Sequence, residues 1–189
     1  MITHKHTHKW LCSLGVAAVA AMLLAACTKA DSEYNTDYYT YFVYDTNLHQ
    51  GDALWTAVQP LSVYQFVIVS KNSRTNVHLL TPAGKQTDIT VTTEPEARPN
   101  YSLGAYNGLI IGRDANYQLM AFDRQCPNCL ADYGLYKYAL SFKDNGMSVY
   151  CSHCKRTYSL TNGGYPDTDG RKLLRYKATY SGNILTVHN

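Results

Sequence analysis

The sequence lacks the short motifs that mark the commonest hydrolases and nucleotide-binding enzymes. It contains no Gly-x-Ser-x-Gly elbow, no glycine-rich phosphate loop and no His-Glu-x-x-His motif. Each of these motifs holds a nucleophile, a phosphate or a metal ion in a fixed geometry, so each absence removes one kind of chemistry. The sequence therefore gives no indication of hydrolysis or of phosphoryl transfer.

A surplus of charge of one sign is also missing. Two of the 17 basic residues, Lys5 and Lys9, fall within the first 26 positions, which leaves 15 basic against 14 acidic residues in the rest of the chain. Proteins that bind nucleic acid usually carry a clear basic excess, because they neutralise phosphates. We therefore expect no nucleic-acid partner.

Long amphipathic helices and tryptophans are scarce. The best helical stretch, Asp52 to Val58, covers one or two turns, and the chain has only two tryptophans against 17 tyrosines. Short runs rich in aromatic and β-branched residues, separated by turn residues, favour a mostly β fold. The predicted strands are 38–44, 61–70, 77–80, 89–93, 117–122, 147–150, 157–160, 172–180 and 184–187. A loop is predicted over residues 94–100, which contain two prolines.

The N-terminal residues resemble a bacterial lipoprotein signal. A polar or basic start with Lys5 and Lys9 is followed by an uncharged apolar run, and this ends in Leu24-Ala25-Ala26-Cys27, which is similar to a lipobox. The resemblance implies a signal peptide over residues 1–26, a lipid anchor on Cys27 and a lipidated tether over residues 27–36. Because Thr28 rather than aspartate follows the cysteine, it further implies the outer membrane of a bacterium. A single β domain is then expected over residues 37–189.

Cysteines are few, and those beyond the N-terminal segment form two pairs. Of the six cysteines, Cys12 lies within the expected signal peptide and Cys27 at the expected lipidation site. The other four form two Cys-x-x-Cys pairs: Cys126, Cys129, Cys151 and Cys154. Each such turn directs two sulfurs to one point, and two facing turns complete a tetrahedron suited to zinc, a single iron or an iron–sulfur cluster. Nine basic and four acidic residues lie between Arg124 and Lys177, and nearby cations stabilise thiolates.

Several kinds of chemistry fit the two pairs. An iron centre and a structural zinc site both use four thiolates. Disulfides are a third possibility, because extracytoplasmic cysteines in even number usually pair. A thioredoxin-like dithiol is a fourth, although no βαβ pattern surrounds either pair. Covalent c-type haem is excluded, because Leu130 and Lys155 stand where its histidine would follow the second cysteine.

The surroundings of the cysteines resemble a Rieske iron–sulfur domain over about residues 100–189. The run from Leu119 to Pro127 is similar to the first cluster loop of that family. The run from Cys151 to Pro166 is similar to the second loop, and the last strand pair is similar to the close of the domain. Both histidine ligands of the family are replaced. In the first loop, Asn128 stands where the family has its histidine, and Cys129 supplies that loop's second ligand. In the second loop, Cys154 stands where the family has its histidine.

The resemblance implies a Rieske-type β-barrel or sandwich with a small two-loop metal-binding subdomain. The implied ligands are the four paired cysteines, and the implied cofactor is a [2Fe–2S] cluster or mononuclear iron, with zinc as the alternative. The residues implied to shield the centre from solvent are Tyr158, Gly163, Gly164 and Pro166. The expected function is electron transfer with a redox protein partner. The alternative is a non-redox binding or structural lipoprotein, and an enzyme is the weaker expectation in either case.

Overall fold

Strands dominate the part of the chain that the structure describes, as the sequence predicts. The computed structural model describes residues 33–73, 76–91, 101–105, 108–134 and 136–189. Within these residues the protein is mostly β, and Tyr34–Asn189 forms one unit. No helix in the described part of the chain is long and apolar enough to cross a membrane. The expected signal peptide, Cys27, most of the tether and the predicted loop over 94–100 lie outside the described residues.

The larger sheet has nine strands: β1 (Thr40–Asp45), β2 (Phe66–Lys71), β3 (Asn76–Leu80), β4 (Gln86–Thr90), β5 (Ser102–Leu103), β6 (Leu109–Arg113), β7 (Leu119–Asp123), β11 (Arg175–Ser181) and β12 (Ile184–His188). Their order across the sheet is β4-β3-β2-β6-β7-β11-β12-β1-β5. Every neighbouring pair is antiparallel. The sheet curls so that its edge strand β5 also contacts β2.

A smaller sheet carries the cysteine region. It consists of β8 (Ser141–Lys143), β9 (Ser148–Tyr150) and β10 (Thr157–Ser159), with β9 in the middle. A short 3-10 helix, Asp144–Gly146, joins β8 to β9. Two short helices complete the described structure: α1 (Ala53–Val58), capped by the Asp52 side chain, and α2 (Pro127–Tyr133).

The central strands β2, β6 and β7 are buried on both faces. In β2, Val67 and Val69 pack into one hydrophobic cluster, whereas Phe66 and Ile68 pack into a second cluster that includes cysteines of both pairs. Successive side chains of a strand point to opposite faces, so a strand covered on both sides reads as a continuous apolar run. This explains the sequence Phe66-Val67-Ile68-Val69 and shows that the cysteine region is packed onto one face of the large sheet.

A buried carboxylate connects the end of β7 to its neighbours. Asp123 is fully buried and accepts hydrogen bonds from the backbone N–H groups of Ala105, at 2.6 Å, and Gln125, at 2.7 Å, and from the Tyr176 hydroxyl, at 2.7 Å. Burial raises the pKa of Asp123 to about 6, although these three donors act in the opposite direction. Gly104 lies against this group with φ +80°, and a Cβ there would stand 2.3 Å from Asp123 Oδ2. The site therefore requires glycine.

Several predicted element boundaries are wrong, and backbone conformation explains two of them. The strand predicted from Leu61 begins only at Phe66, because Tyr64 has φ +58° and interrupts extended structure. The strand predicted from Tyr117 begins at Leu119, because Tyr117 has φ +62° within a turn closed by Asp114. The strand predicted over 89–93 begins earlier, at Gln86, and pairs with β3 as far as Thr90, while residues 92 and 93 lie outside the described residues. Helix α2 was not predicted at all, because seven residues show too little periodicity.

Candidate metal centre

Each cysteine pair is positioned by a short local structure. In the first pair, Cys126 occupies the N-cap position of α2 and Cys129 lies in its first turn, so the two side chains lie on one face of the helix. Pro127 at the first helical position favours the start of this helix. In the second pair, the turn from Cys151 is closed by the Lys155 N–H, which donates to the Cys151 carbonyl at 2.9 Å. Lys155 adopts φ +62° to complete that turn.

The structure brings the sulfur atoms of the four predicted cysteines close together. Their sulfur atoms all lie within 4.8 Å of one another. Two contacts cross between the pairs: Cys126 Sγ lies 3.6 Å from Cys154 Sγ, and Cys129 Sγ lies 3.6 Å from Cys151 Sγ. No disulfide joins these four residues, all of which are free thiols. Four sulfurs close together could bind a metal ion such as iron or zinc.

The spacing of the sulfurs fits a single tetrahedral ion. With a metal–sulfur bond of about 2.3 Å, as for zinc, the edge of the sulfur tetrahedron is about 3.8 Å. The observed contacts of 3.6 Å and the outer limit of 4.8 Å bracket this value. In a two-iron cluster, two cysteines bind each iron. The sulfurs bound to one iron would therefore lie farther from the sulfurs bound to the other iron than four sulfurs around a single ion do. The donor set therefore fits one ion better than a cluster.

The thiols differ in exposure and in acidity. Cys126, Cys129 and Cys151 are buried, whereas Cys154 is partly exposed. Burial raises the pKa of Cys126 to about 11 and also raises the pKa of Cys129. Burial would raise the pKa of Cys154 as well, but hydrogen bonds from the Arg156 backbone and from neighbouring groups lower it to about 7. A bound cation would supply the positive charge that the buried thiolates lack.

Tyr158, predicted to shield the centre, lies directly against it. Its side chain is fully buried, and its hydroxyl oxygen is 3.2 Å from Cys126 Sγ. The amide of Asn128 donates to the same hydroxyl oxygen at 2.7 Å. Burial raises the pKa of Tyr158, so the phenol is neutral and its hydrogen is available for a hydrogen bond.

The predicted glycine and proline turn supports Tyr158 and the sheet behind it. Pro166 forms a β-bridge with Tyr158. Gly164 is packed so closely that a Cβ would lie 2.8 Å from Leu173 and 3.1 Å from Phe122. Gly163 adopts φ +61° within the turn. The contacts described for Gly164 and Pro166 are with Leu173, Phe122 and Tyr158 and not with the cysteines. The shielding of the centre by these two residues and Gly163 therefore stays a prediction.

Sequence reasoning assigned no role to two residues at the centre. Asn128 is buried between the two loops, and His153 places Nδ1 3.6 Å from Cys129 Sγ. The His153 ring also packs on Tyr138, with centroids 4.0 Å apart, and meets the edge of Tyr133. Each residue lies between the two cysteines of a Cys-x-x-Cys pair. This closeness in sequence to the predicted ligands was the only signal that could have identified them.

Comparisons of the chain with protein-family models, with curated protein sequences and with solved structures find no match. The four cysteines and the residues around them are the features of the described structure that point to a function. In the geometry of this centre, four protein sulfurs lie within 4.8 Å of one another, enough to complete the coordination of a tetrahedral ion. A metal ion held in this way has no open position for a substrate.

Proposed function

We propose that Cys126, Cys129, Cys151 and Cys154 bind a single metal ion as thiolates. The observation that carries this proposal is the convergence of four sulfurs within 4.8 Å, from two loops that are separate in the sequence. Because the ligand set is closed, the ion would serve structure or electron transfer rather than catalysis on a bound substrate. A structural role fits best, since three of the four cysteines are buried in the cluster that attaches both loops to the large sheet.

Electron transfer by iron is the second candidate. Cys154 is partly exposed, so one ligand of the centre reaches the protein surface, where a redox partner could approach. Tyr158 and His153 lie within 3.6 Å of ligand sulfurs, and polar groups at this position tune the potential of iron–sulfur centres. In this form the protein would exchange single electrons with a protein partner.

A Rieske-type arrangement is supported by the order and position of these elements. The first cysteine pair follows a strand of the large sheet, and the second lies in the turn between two strands of the small sheet. The aromatic Tyr158, the turn at Gly164 and Pro166, and the closing hairpin of β11 and β12 follow in the order expected from the resemblance. The replacement of both histidines by four-thiolate ligation is the feature that would distinguish this chain from that family.

The lipoprotein interpretation places the domain at the cell envelope. It is supported by the sequence before Cys27, which combines a basic start, an apolar run and a lipobox-like end. In bacteria that express the full chain, we expect radiolabelled fatty acid to be incorporated into the protein and expect Cys27→Ser to abolish that labelling. Equal labelling of the Cys27→Ser variant would contradict a lipid anchor at this residue.

Metal analysis tests the metal proposal. Residues 28–189 are purified, and the zinc, iron, acid-labile sulfide and free thiol content per chain are measured together with the absorption spectrum. We expect one metal ion per chain and no acid-labile sulfide. Colourless protein with one zinc supports the structural role, and coloured protein with one iron supports electron transfer. Two irons with two sulfides would indicate a [2Fe–2S] cluster, and disulfides without metal would refute metal binding.

A further inference from the structure

The orientation of the Asn128 amide is determined by the main chain of Arg171. The Arg171 N–H lies 3.0 Å from one terminal atom of the Asn128 side chain. A backbone N–H can only donate a hydrogen bond, so the atom facing it is the amide oxygen. The nitrogen then faces the Arg171 carbonyl, at 3.4 Å, and the Tyr158 hydroxyl, at 2.7 Å. The two hydrogens of the amide nitrogen therefore have two acceptors.

The direction of the next hydrogen bond follows from this orientation. The amide nitrogen of Asn128 has hydrogens but no acceptor capacity, so the Tyr158 oxygen must accept from it. The hydroxyl has a single hydrogen of its own, and Cys126 Sγ lies 3.2 Å from the same oxygen. As a metal ligand Cys126 is a thiolate and can only accept, so that hydrogen points to the sulfur and Cys126 is the acceptor at the end of a chain of three groups.

Packing holds the chain of hydrogen bonds in place. Tyr158 is fully buried and Asn128 is nearly so, which excludes water as a competing partner. Gly170 lies so close to the amide that a Cβ at this position would stand 2.9 Å from Asn128 Oδ1 and 3.0 Å from Nδ2. The amide is therefore closely packed against the main chain at Gly170.

We propose that Asn128 is a positioning residue that directs the Tyr158 hydroxyl to donate to the Cys126 thiolate. The proposal rests on the metal-binding function proposed above. A hydrogen bond to an ionised sulfur is stronger than one between neutral groups, and a low-dielectric surrounding strengthens it further. The donor removes part of the negative charge from one of the four thiolates and so favours retention of the ion. Asn128 thus acts on the centre through Tyr158, without being a ligand itself.

A double-mutant cycle with cobalt as the probe tests the proposal. Residues 28–189, which include the whole unit Tyr34–Asn189, are loaded with Co²⁺ as the wild type, Tyr158→Phe, Asn128→Asp and the double variant. An aspartate at position 128 keeps the bond from the Arg171 N–H, but it cannot donate to Tyr158 and instead accepts the hydroxyl hydrogen. Asn72→Asp, at an exposed position, makes the same chemical change away from the centre.

We expect Tyr158→Phe and Asn128→Asp each to weaken cobalt binding about tenfold, in the range usual for groups that hydrogen-bond to metal ligands. The sulfur-to-cobalt charge-transfer band should shift to lower energy in both variants. In the Tyr158→Phe background, Asn128→Asp should change the affinity by a clearly smaller factor and shift the band less, because the hydrogen bond is already absent and only the added charge acts. Asn72→Asp should behave as the wild type.

Different outcomes separate this proposal from the metal-binding function. If Asn128→Asp has the same effect with and without the Tyr158 hydroxyl, the proposal is overturned while metal binding stands. If the wild type binds no cobalt, the metal-binding function and this proposal both fail. Should Asn128→Asp not fold, the uncharged variant Asn128→Leu replaces it: a band shift towards the Tyr158→Phe position supports the proposal, and an unshifted band overturns it.

Discussion

Replacement of Cys129 by serine is expected to weaken metal binding by about a hundredfold to a thousandfold. Structural zinc binds with about 10–16 kcal/mol, so one of four thiolates accounts for roughly 2.5–4 kcal/mol, at about 1.4 kcal/mol per factor of ten. Cys129 is fully buried and contacts Cys151 across the two loops. Competition with a chromophoric chelator measures the affinity.

The same substitution should loosen the cysteine region while the large sheet persists. Backbone amides near α2 and in the turn after Cys151 should lose protection from hydrogen exchange, whereas β2 and β3, which also pack into the other hydrophobic cluster, should keep theirs. Ser152→Ala changes an exposed residue of the same turn and should leave affinity and exchange unchanged. Wild-type affinity in Cys129→Ser would mean that the four sulfurs do not act as one ligand set.

Replacement of Asp123 by alanine is expected to lower the free energy of unfolding by about 3–5 kcal/mol at neutral pH. The substitution removes the acceptor of three hydrogen bonds, and each buried donor left without a partner costs about 1–3 kcal/mol. The donors come from three parts of the fold: Ala105, Gln125 and Tyr176. Denaturant unfolding measures the loss, and Asp132→Ala, at an exposed position of α2, should change stability by less than about 0.5 kcal/mol.

The pH dependence of stability gives Asp123 a second signature. Burial raises the pKa of its carboxyl to about 6 in the folded protein, against about 3.9 in an unfolded chain. Between these values the folded state holds a proton that the unfolded state has lost, so the contribution of Asp123 to stability falls as pH rises from about 4 to 6 and is constant above. This slope should disappear in Asp123→Ala. An identical pH profile in both proteins would contradict the raised pKa.

The strands of the fold were more predictable from the sequence than their ends. Runs such as Phe66-Val67-Ile68-Val69 predict a strand because their composition suits a buried sheet. The sequence could not reveal that Tyr64 and Tyr117 have positive φ, since neither is a residue that favours this conformation. Tyr117 lies in a turn closed by Asp114, and the Tyr64 N–H donates to the Arg113 carbonyl, so both strands begin after these residues.

The candidate centre was likewise predictable from the sequence only in part. The Cys-x-x-Cys spacing identifies the four cysteines, because each turn brings its own two sulfurs together by local geometry. The pairing across the loops, Cys126 with Cys154 and Cys129 with Cys151, has no local signature. It depends on how α2 and the turn between β9 and β10 are packed against each other on the large sheet.

By itself, the sequence determined that this is a mostly β protein with four cysteines in two local turns, because strand composition and short-range spacing are properties of neighbouring residues. Only the tertiary structure decided that the two turns face each other, that Asn128 meets Tyr158, and that Asp123 gathers three donors from distant segments. These contacts join residues far apart in the chain. Their geometry follows from the packing of whole strands and loops, which no short stretch of sequence encodes.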